Sequence, residues 1–331
     1  MDILFVGANG KMEMEKIPEG GYPIKGIDIA GYNRSSLIKN ITLPYKLIKS
    51  FLQVKGIFQS FNPQAAIGVG GYSTFPVLRY AQAKGIPTFI HESNSLAGKS
   101  NKLLGKKATR IFAASDGMEK YFPAEKLVYT GNPLRNNVVS NKISREEGIA
   151  FFDLDLKNTT VLITGGSLGA RSMNEAIDAG LSLLLKNEIQ LIWQTGKSFS
   201  AQASAHAVES KLIWTGEFIS KMEYAYAAAD IIVSRSGSVL YELCAIKKPV
   251  IFIPYPHATE DHQTVNAENL VKKKAAIMIP DKDAREKLVA EILRLAKSKL
   301  EQEQLKENIG KLAITDADDK IANEILRTLN G

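Results

Sequence analysis

The residue types best suited to chemistry gather between Asp230 and Asn269. An apolar run over 229–234 ends in Arg235-Ser236-Gly237, and a short helical pattern then carries Glu242. A second apolar run over 249–253 opens into a polar loop that holds His262, Gln263 and Asn266. A guanidinium, a carboxylate and several amide or imidazole groups suit a ligand bearing phosphate, sugar hydroxyls and a base. Connecting loops and helix caps draw on the same residue types, so plain βα loops are the competing reading of this stretch alone.

A second motif points the same way. The apolar run 160–164 is followed by Gly165-Gly166-Ser167-Leu168-Gly169-Ala170-Arg171 and a helical pattern to about residue 185. Strand, glycine turn and helix make a phosphate cradle, because free N–H groups and the helix dipole both favour an anion. The spacing is neither Gly-x-Gly-x-x-Gly nor the Gly-Lys-Ser/Thr ending of a Walker loop. Four further loops end apolar runs in the first half: Gly7 to Gly10, Gly68 to Pro76, His91-Glu92-Ser93-Asn94, and Thr130 to Arg135. Each is weak alone, but a fold that gathers strand ends brings them together.

The elements that must position these loops alternate. Strand-like runs fall at 3–6, 24–29, 65–69, 87–90, 110–113 and 126–129, with helical patterns at 43–58 and 75–84. After a polar linker at 136–158 the alternation resumes with runs at 160–164, 190–193, 212–214, 229–234, 249–253 and 276–279. This order predicts an α/β fold with parallel sheets covered on both faces. Two Rossmann-like halves are expected to face each other across a ligand cleft: residues 1–138, residues 139–315, and a terminal helix over 316–331 packing on either half.

The 331 residues are 45% hydrophobic and 23% charged, the profile of a globular protein with a sizeable core. The net charge of +7 suits an anionic partner. Aromatic residues are scattered with no basic-aromatic stripe, so no nucleic acid is expected. The single Cys244 excludes an internal disulfide and fits a reducing cytoplasm. No run approaches about eighteen apolar residues, so no membrane-spanning helix is predicted. Met1 leads into an expected buried strand over 2–7 rather than a signal peptide. Between Tyr32 and Phe58, apolar Leu37, Ile38, Ile41, Leu43, Tyr45, Leu47, Ile48, Phe51 and Leu52 are interleaved with Arg34, Lys39, Lys46, Lys49 and Lys55. Such a pattern docks on anionic lipid or covers a sheet. With no Cys/His cluster and no paired Asp motif, neither a tightly bound metal nor a cofactor is expected.

Taken in order, Gly70-Gly71-Tyr72 with Pro76, His91 to Asn94, Gly131-Asn132-Pro133 with Arg135, the Gly165 loop, Arg235-Ser236-Gly237 with Glu242, and Asp261 to Asn266 resemble the MurG family. These enzymes move N-acetylglucosamine onto undecaprenyl-diphosphate-linked muramoyl-pentapeptide, in peptidoglycan synthesis. The resemblance runs from Ile3 to the last helix. It implies a GT-B fold with UDP-N-acetylglucosamine in the second domain and the lipid-linked acceptor in the first. By matching motif, Ser167 meets the diphosphate, Glu242 the ribose, and backbone near Phe218 and Ile219 the uracil. Asn94, Arg135, Arg235, His262 and Gln263 fall at further donor-site positions. The 32–58 region is then a patch resting on the cytoplasmic face of the inner membrane, with cell-wall and division proteins as further partners. The implied reaction is inverting and metal-independent.

The sequence also departs from the family pattern. The resemblance implies a strand, a glycine loop with His, and a helix ahead of the counterpart of Ile3, and nothing here matches them. The expectation is therefore a misassigned start, a chain truncated at its start, or a degenerate homologue. The catalytic residue stays unassigned, with His91 and Glu92 the nearest candidates. Ser93 stands where the family has Gln, and the interval from Arg235 to Glu242 is one residue short. Two other readings follow: a UDP-N-acetylglucosamine 2-epimerase type of enzyme, or an impaired homologue that only binds the donor.

Overall fold

The computed structural model describes residues 2–31, 40–140, 142–166 and 168–330, Thr259 by its backbone alone. Two compact units emerge, one of 1–131 with 318–331, the other of 132–317.

In the first unit the strands are β1 (Phe5–Ala8), β2 (Ile24–Ile27), β3 (Ala66–Gly68), β4 (Thr88–Glu92), β5 (Arg110–Ala113) and β6 (Leu127–Tyr129). All neighbours are parallel, in two sheets ordered β1-β2 and β3-β4-β5-β6. Val6, Ile27 and Ala66 share one apolar cluster with Val54, Phe58 and Ala81, so the helices Leu43–Phe61 and Thr74–Ala83 cover parts of both sheets. Among the described residues no strand pairs the second edge of β1 or of β3. The expected buried strand over 2–7 therefore needs correction. Pairing begins only at Phe5, and Ile3 and Phe5 are exposed because a strand with one neighbour has little cover.

Alternation along β4 and β5 sends Ile90, Ile111 and Ala113 to one face, against Leu78, Leu104 and Met118. Phe89 and Phe112 point to the other, stacked at 5.9 Å under Ile321 of the helix Ala317–Asn330. Arg110 Nε adds a 3.0 Å ion pair to Glu324, so the last helix is seated on this unit.

The second unit holds β7 (Thr159–Thr164), β8 (Ile189–Gln194), β9 (Ile213–Gly216), β10 (Ile231–Ser234), β11 (Val250–Phe252) and β12 (Ile277–Met278). They form one parallel sheet in the order β12-β11-β10-β7-β8-β9. Both faces are buried. Val161 and Ile163 pack under the helices Arg171–Lys186 and Ala284–Lys297, while Leu162, Ile232 and Phe252 pack under Val239–Ile246 and His262–Lys272. Burial on both faces explains the unbroken apolar runs in the sequence. From β7 the chain steps to β8 and β9 on one side, then returns to β10 on the other. The strand order thus reverses between β7 and β10, and ligands of open α/β sheets bind at that point, outside the carboxyl ends of the strands.

Candidate active site

Two loops flank the reversal. After β7 the glycine loop turns on Gly166 (φ 87°) and Gly169 (φ 76°), a backbone region that L side chains rarely adopt. A Cβ on Gly169 would stand 2.1 Å from the Thr195 carbonyl oxygen, so only glycine lets this loop lie against the one after β8. The helix Arg171–Lys186 follows from Ala170, which has no polar side chain to cap its first turn. Amides of an uncapped helix start, aimed from a glycine loop, suit a diphosphate. Ser167, the expected diphosphate contact, lies outside the described residues.

Gln194, at the end of β8, was not singled out by the sequence. Its buried amide donates to Gly166 O at 2.8 Å and accepts from Ile219 N at 3.0 Å. One side chain therefore ties the glycine loop to the Phe218-Ile219 segment expected at the base. Phe218 is exposed and Ile219 is buried with its N–H already engaged, so at this segment other groups are left for a base. Asn174 was missed as well. It donates to Thr195 O at 2.8 Å and accepts from the Trp193 indole at 3.0 Å. A lone buried amide carries no sequence signal beyond its polarity inside an apolar pattern.

After β10, Arg235 turns inward. Its guanidinium reaches Ile253 O at 2.9 Å, Pro254 O at 3.0 Å, Ser172 Oγ at 3.2 Å and the Asp281 carboxylate. Glu242, on the helix Val239–Ile246, meets Arg135 through both oxygens and accepts the Tyr226 hydroxyl at 3.1 Å. That pairing raises the Arg135 pKa further, and burial beside Glu242 pushes Tyr226 well above its ordinary range. Gln263 accepts from Tyr255 N at 2.9 Å, Ser236 Oγ donates to Gln263 O at 2.7 Å, and Asn266 donates to Ser236 O at 3.1 Å. His262 opens its helix half-buried, just after Glu260 and Asp261 with positive φ. Arg235, Glu242, His262, Gln263 and Asn266 thus share the rim beyond β10 and β11.

In the first unit His91 and Glu92 close β4. His91 Nε2 donates to Gly131 O at 3.1 Å, and Nδ1 lies 3.3 Å from Ser93 Oγ. Because a carbonyl only accepts, Nε2 carries the proton, and burial lowers the pKa so the ring is neutral. Glu92 is buried and accepts from Asn94 N, Asn94 Nδ2, Gly98 N and Asn101 Nδ2 at 3.1, 3.3, 3.1 and 2.8 Å. Both side chains are saturated and build the loop that carries Asn94.

Of the lipid-patch residues, Leu37, Ile38 and Lys39 lie outside the described residues. Ile41, Tyr45, Ile48 and Leu52 are exposed, four or three residues apart, opposite Val54 and Phe58 of the same helical stretch. Lys46 is half-buried, and Lys49 is 2.7 Å from Asp28. Among the described residues no helix is long and apolar enough to cross a membrane, and no group of three His, Cys, Asp or Glu stands close enough to hold a metal.

Comparison with known proteins agrees with this geometry. The glycosyltransferase family 28 N-terminal domain matches residues 1–113, and the family 28 C-terminal domain matches residues 160–321. The UDP-N-acetylglucosamine--N-acetylmuramyl-(pentapeptide) pyrophosphoryl-undecaprenol N-acetylglucosamine transferase of Phocaeicola vulgatus is 47% identical, over 98% of this chain and 88% of that protein. The Bacteroides fragilis enzyme of the same name is 46% identical over 98% of this chain and 87% of its own length. The crystal structure of Acinetobacter baumannii MurG superposes with a TM-score of 0.79 at 25% identity, covering 98% of this chain and 91% of that one. The expected GT-B fold is thereby established, and the chain belongs to the MurG-type N-acetylglucosamine transferases of glycosyltransferase family 28.

Proposed function

We propose that this chain transfers N-acetylglucosamine from UDP-N-acetylglucosamine to the 4-hydroxyl of the muramoyl unit of undecaprenyl-diphosphate-linked muramoyl-pentapeptide. The observation that carries the reading is the placement of the glycine loop and of Glu242 on either side of the strand-order reversal in one sheet. The uncapped helix start holds the diphosphate, Glu242 takes the ribose hydroxyls, and the Phe218-Ile219 segment borders the base. The muramoyl 4-hydroxyl oxygen forms a bond to the anomeric carbon as the bond from that carbon to the diphosphate oxygen breaks, inverting the centre, releasing UDP and passing the hydroxyl proton to solvent. Charge developing on the leaving phosphate is met by fixed amides, which need no reorganisation. His91 and Glu92 act as positioning residues for the Asn94 loop, since neither has a lone pair turned outward.

The first unit receives the acceptor, and the exposed stripe Ile41, Tyr45, Ile48 and Leu52 rests on the cytoplasmic face of the inner membrane beside Lys46 and Lys49. The test is incubation of the chain with labelled UDP-N-acetylglucosamine and the lipid-linked muramoyl acceptor. Acceptor mass rising by one N-acetylglucosamine, with one UDP released, is the expected result. Epimerised sugar nucleotide without acceptor, or donor binding with no transfer, overturns it.

A further inference from the structure

Arg235 is the centre of a knot among four loops of the rim. It follows β10, its Nη1 reaches the two carbonyls after β11, and Nη2 reaches Ser172 in the first turn of the helix Arg171–Lys186. Ser172 Oγ–H donates to Asp281, which also takes Nη1 of Arg235 and stands just beyond β12. The Arg235 side chain is only 12% exposed and Asp281 20%. Tyr255 closes the outer side, its ring centroid 5.5 Å from the guanidinium, and Tyr255 N is in turn held by Gln263.

We propose that Asp281 and Ser172 are positioning residues for donor binding, acting through Arg235, which holds the rim together. This rests on the donor site proposed above. The geometry supplies the reason. Strands β12, β11, β10 and β7 are consecutive neighbours in the sheet, and the knot links the segment after each of them. A guanidinium has a planar fork of five N–H groups, which a lysine cannot imitate, and here Nη1 is taken up by Ile253 O, Pro254 O and Asp281 while Nη2 donates to Ser172. The chain Arg235 to Ser172 to Asp281 is polarised in one direction and partly buried, so each bond strengthens the next. What it fixes is the first turn whose amides face the phosphate.

The two possible roles of Arg235 predict opposite signs. The experiment measures UDP binding by calorimetry and the donor KM in the transfer assay, on the full chain and on Asp281→Ala, Asp281→Asn, Ser172→Ala and Arg235→Lys. Positioning predicts UDP binding about tenfold weaker in Asp281→Ala, with KM rising more than kcat falls, and Arg235→Lys as weak as Asp281→Ala. Asp281→Asn and Ser172→Ala, which keep most of the packing, should each lose about threefold. Asp281→Asn gives the answer should the alanine variant not fold, as judged by circular dichroism. Unchanged or tighter UDP binding in folded Asp281 variants overturns the proposal, because an Arg235 released from its carboxylate would then be serving the diphosphate. A native chain that binds neither UDP nor UDP-N-acetylglucosamine overturns the donor site itself, and is told apart by needing no variant.

Discussion

Arg135 and Glu242, 107 positions apart in the chain, form a two-point ion pair, Nε to Oε1 at 2.8 Å and Nη2 to Oε2 at 2.7 Å. Both were expected to touch the donor, and they hold each other. On the donor placement proposed above, ribose hydroxyls share or displace Arg135 to reach the carboxylate. Glu242→Ala should weaken UDP binding about tenfold to a hundredfold, the worth of one or two hydrogen bonds to a charged group. Arg135 is 53% exposed, so the pair adds less than about 1 kcal/mol to stability. Arg135→Ala should leave the melting temperature within about two degrees. A large loss of stability with donor affinity intact would refute this account of the pair.

Glu92 offers a sharper stability test. Its oxygens accept four neutral N–H donors. In Glu92→Gln one oxygen becomes an NH2 facing donors, leaving buried groups unsatisfied at a cost of about 2 kcal/mol. Thermal unfolding should shift down by several degrees, and donor turnover should fall with the loop that carries Asn94. A variant as stable as the native chain would show that the loop does not depend on the carboxylate.

His91 gives a pH signature. Burial holds its folded pKa below the unfolded value near 6.5, so the unfolded chain binds the extra proton first. The stability from neutral His91 is fully present above about pH 6.5 and is lost as pH falls from there through the folded pKa. Melting temperatures measured from pH 7.5 to 5 should drop more steeply for the native chain than for His91→Gln. Equal slopes would mean that His91 protonates without penalty.

The apolar stripe on the helix Leu43–Phe61 should be separable from the chemistry. Ile48 and Leu52 are 64% and 65% exposed, and burying such side chains is worth about 1 kcal/mol or more each. Changing both to Glu should reduce binding to anionic vesicles more than tenfold in a flotation assay, with UDP affinity untouched. Vesicle binding that persists at the native level would move the lipid contact elsewhere.

Twelve short strands were readable in the sequence because parallel strands buried on both faces must be apolar runs, ended by the glycines, prolines and asparagines of their loops. The glycine loop was readable too, since no other residue fits at Gly169. The family followed from the order of such loops. What the linear pattern could not hold was strand order. Only the placement of β10 beside β7 puts the Arg235 turn next to the Gly165 loop, with Gln194 of β8 reaching that loop from the other side. Only the tertiary structure turned Arg235 inward to Asp281, paired Arg135 with Glu242, and filled the lone pairs of His91 and Glu92. Residue type fixes which bonds a side chain can make. Which it does make depends on partners that the fold brings from distant positions, and no spacing along the chain records them.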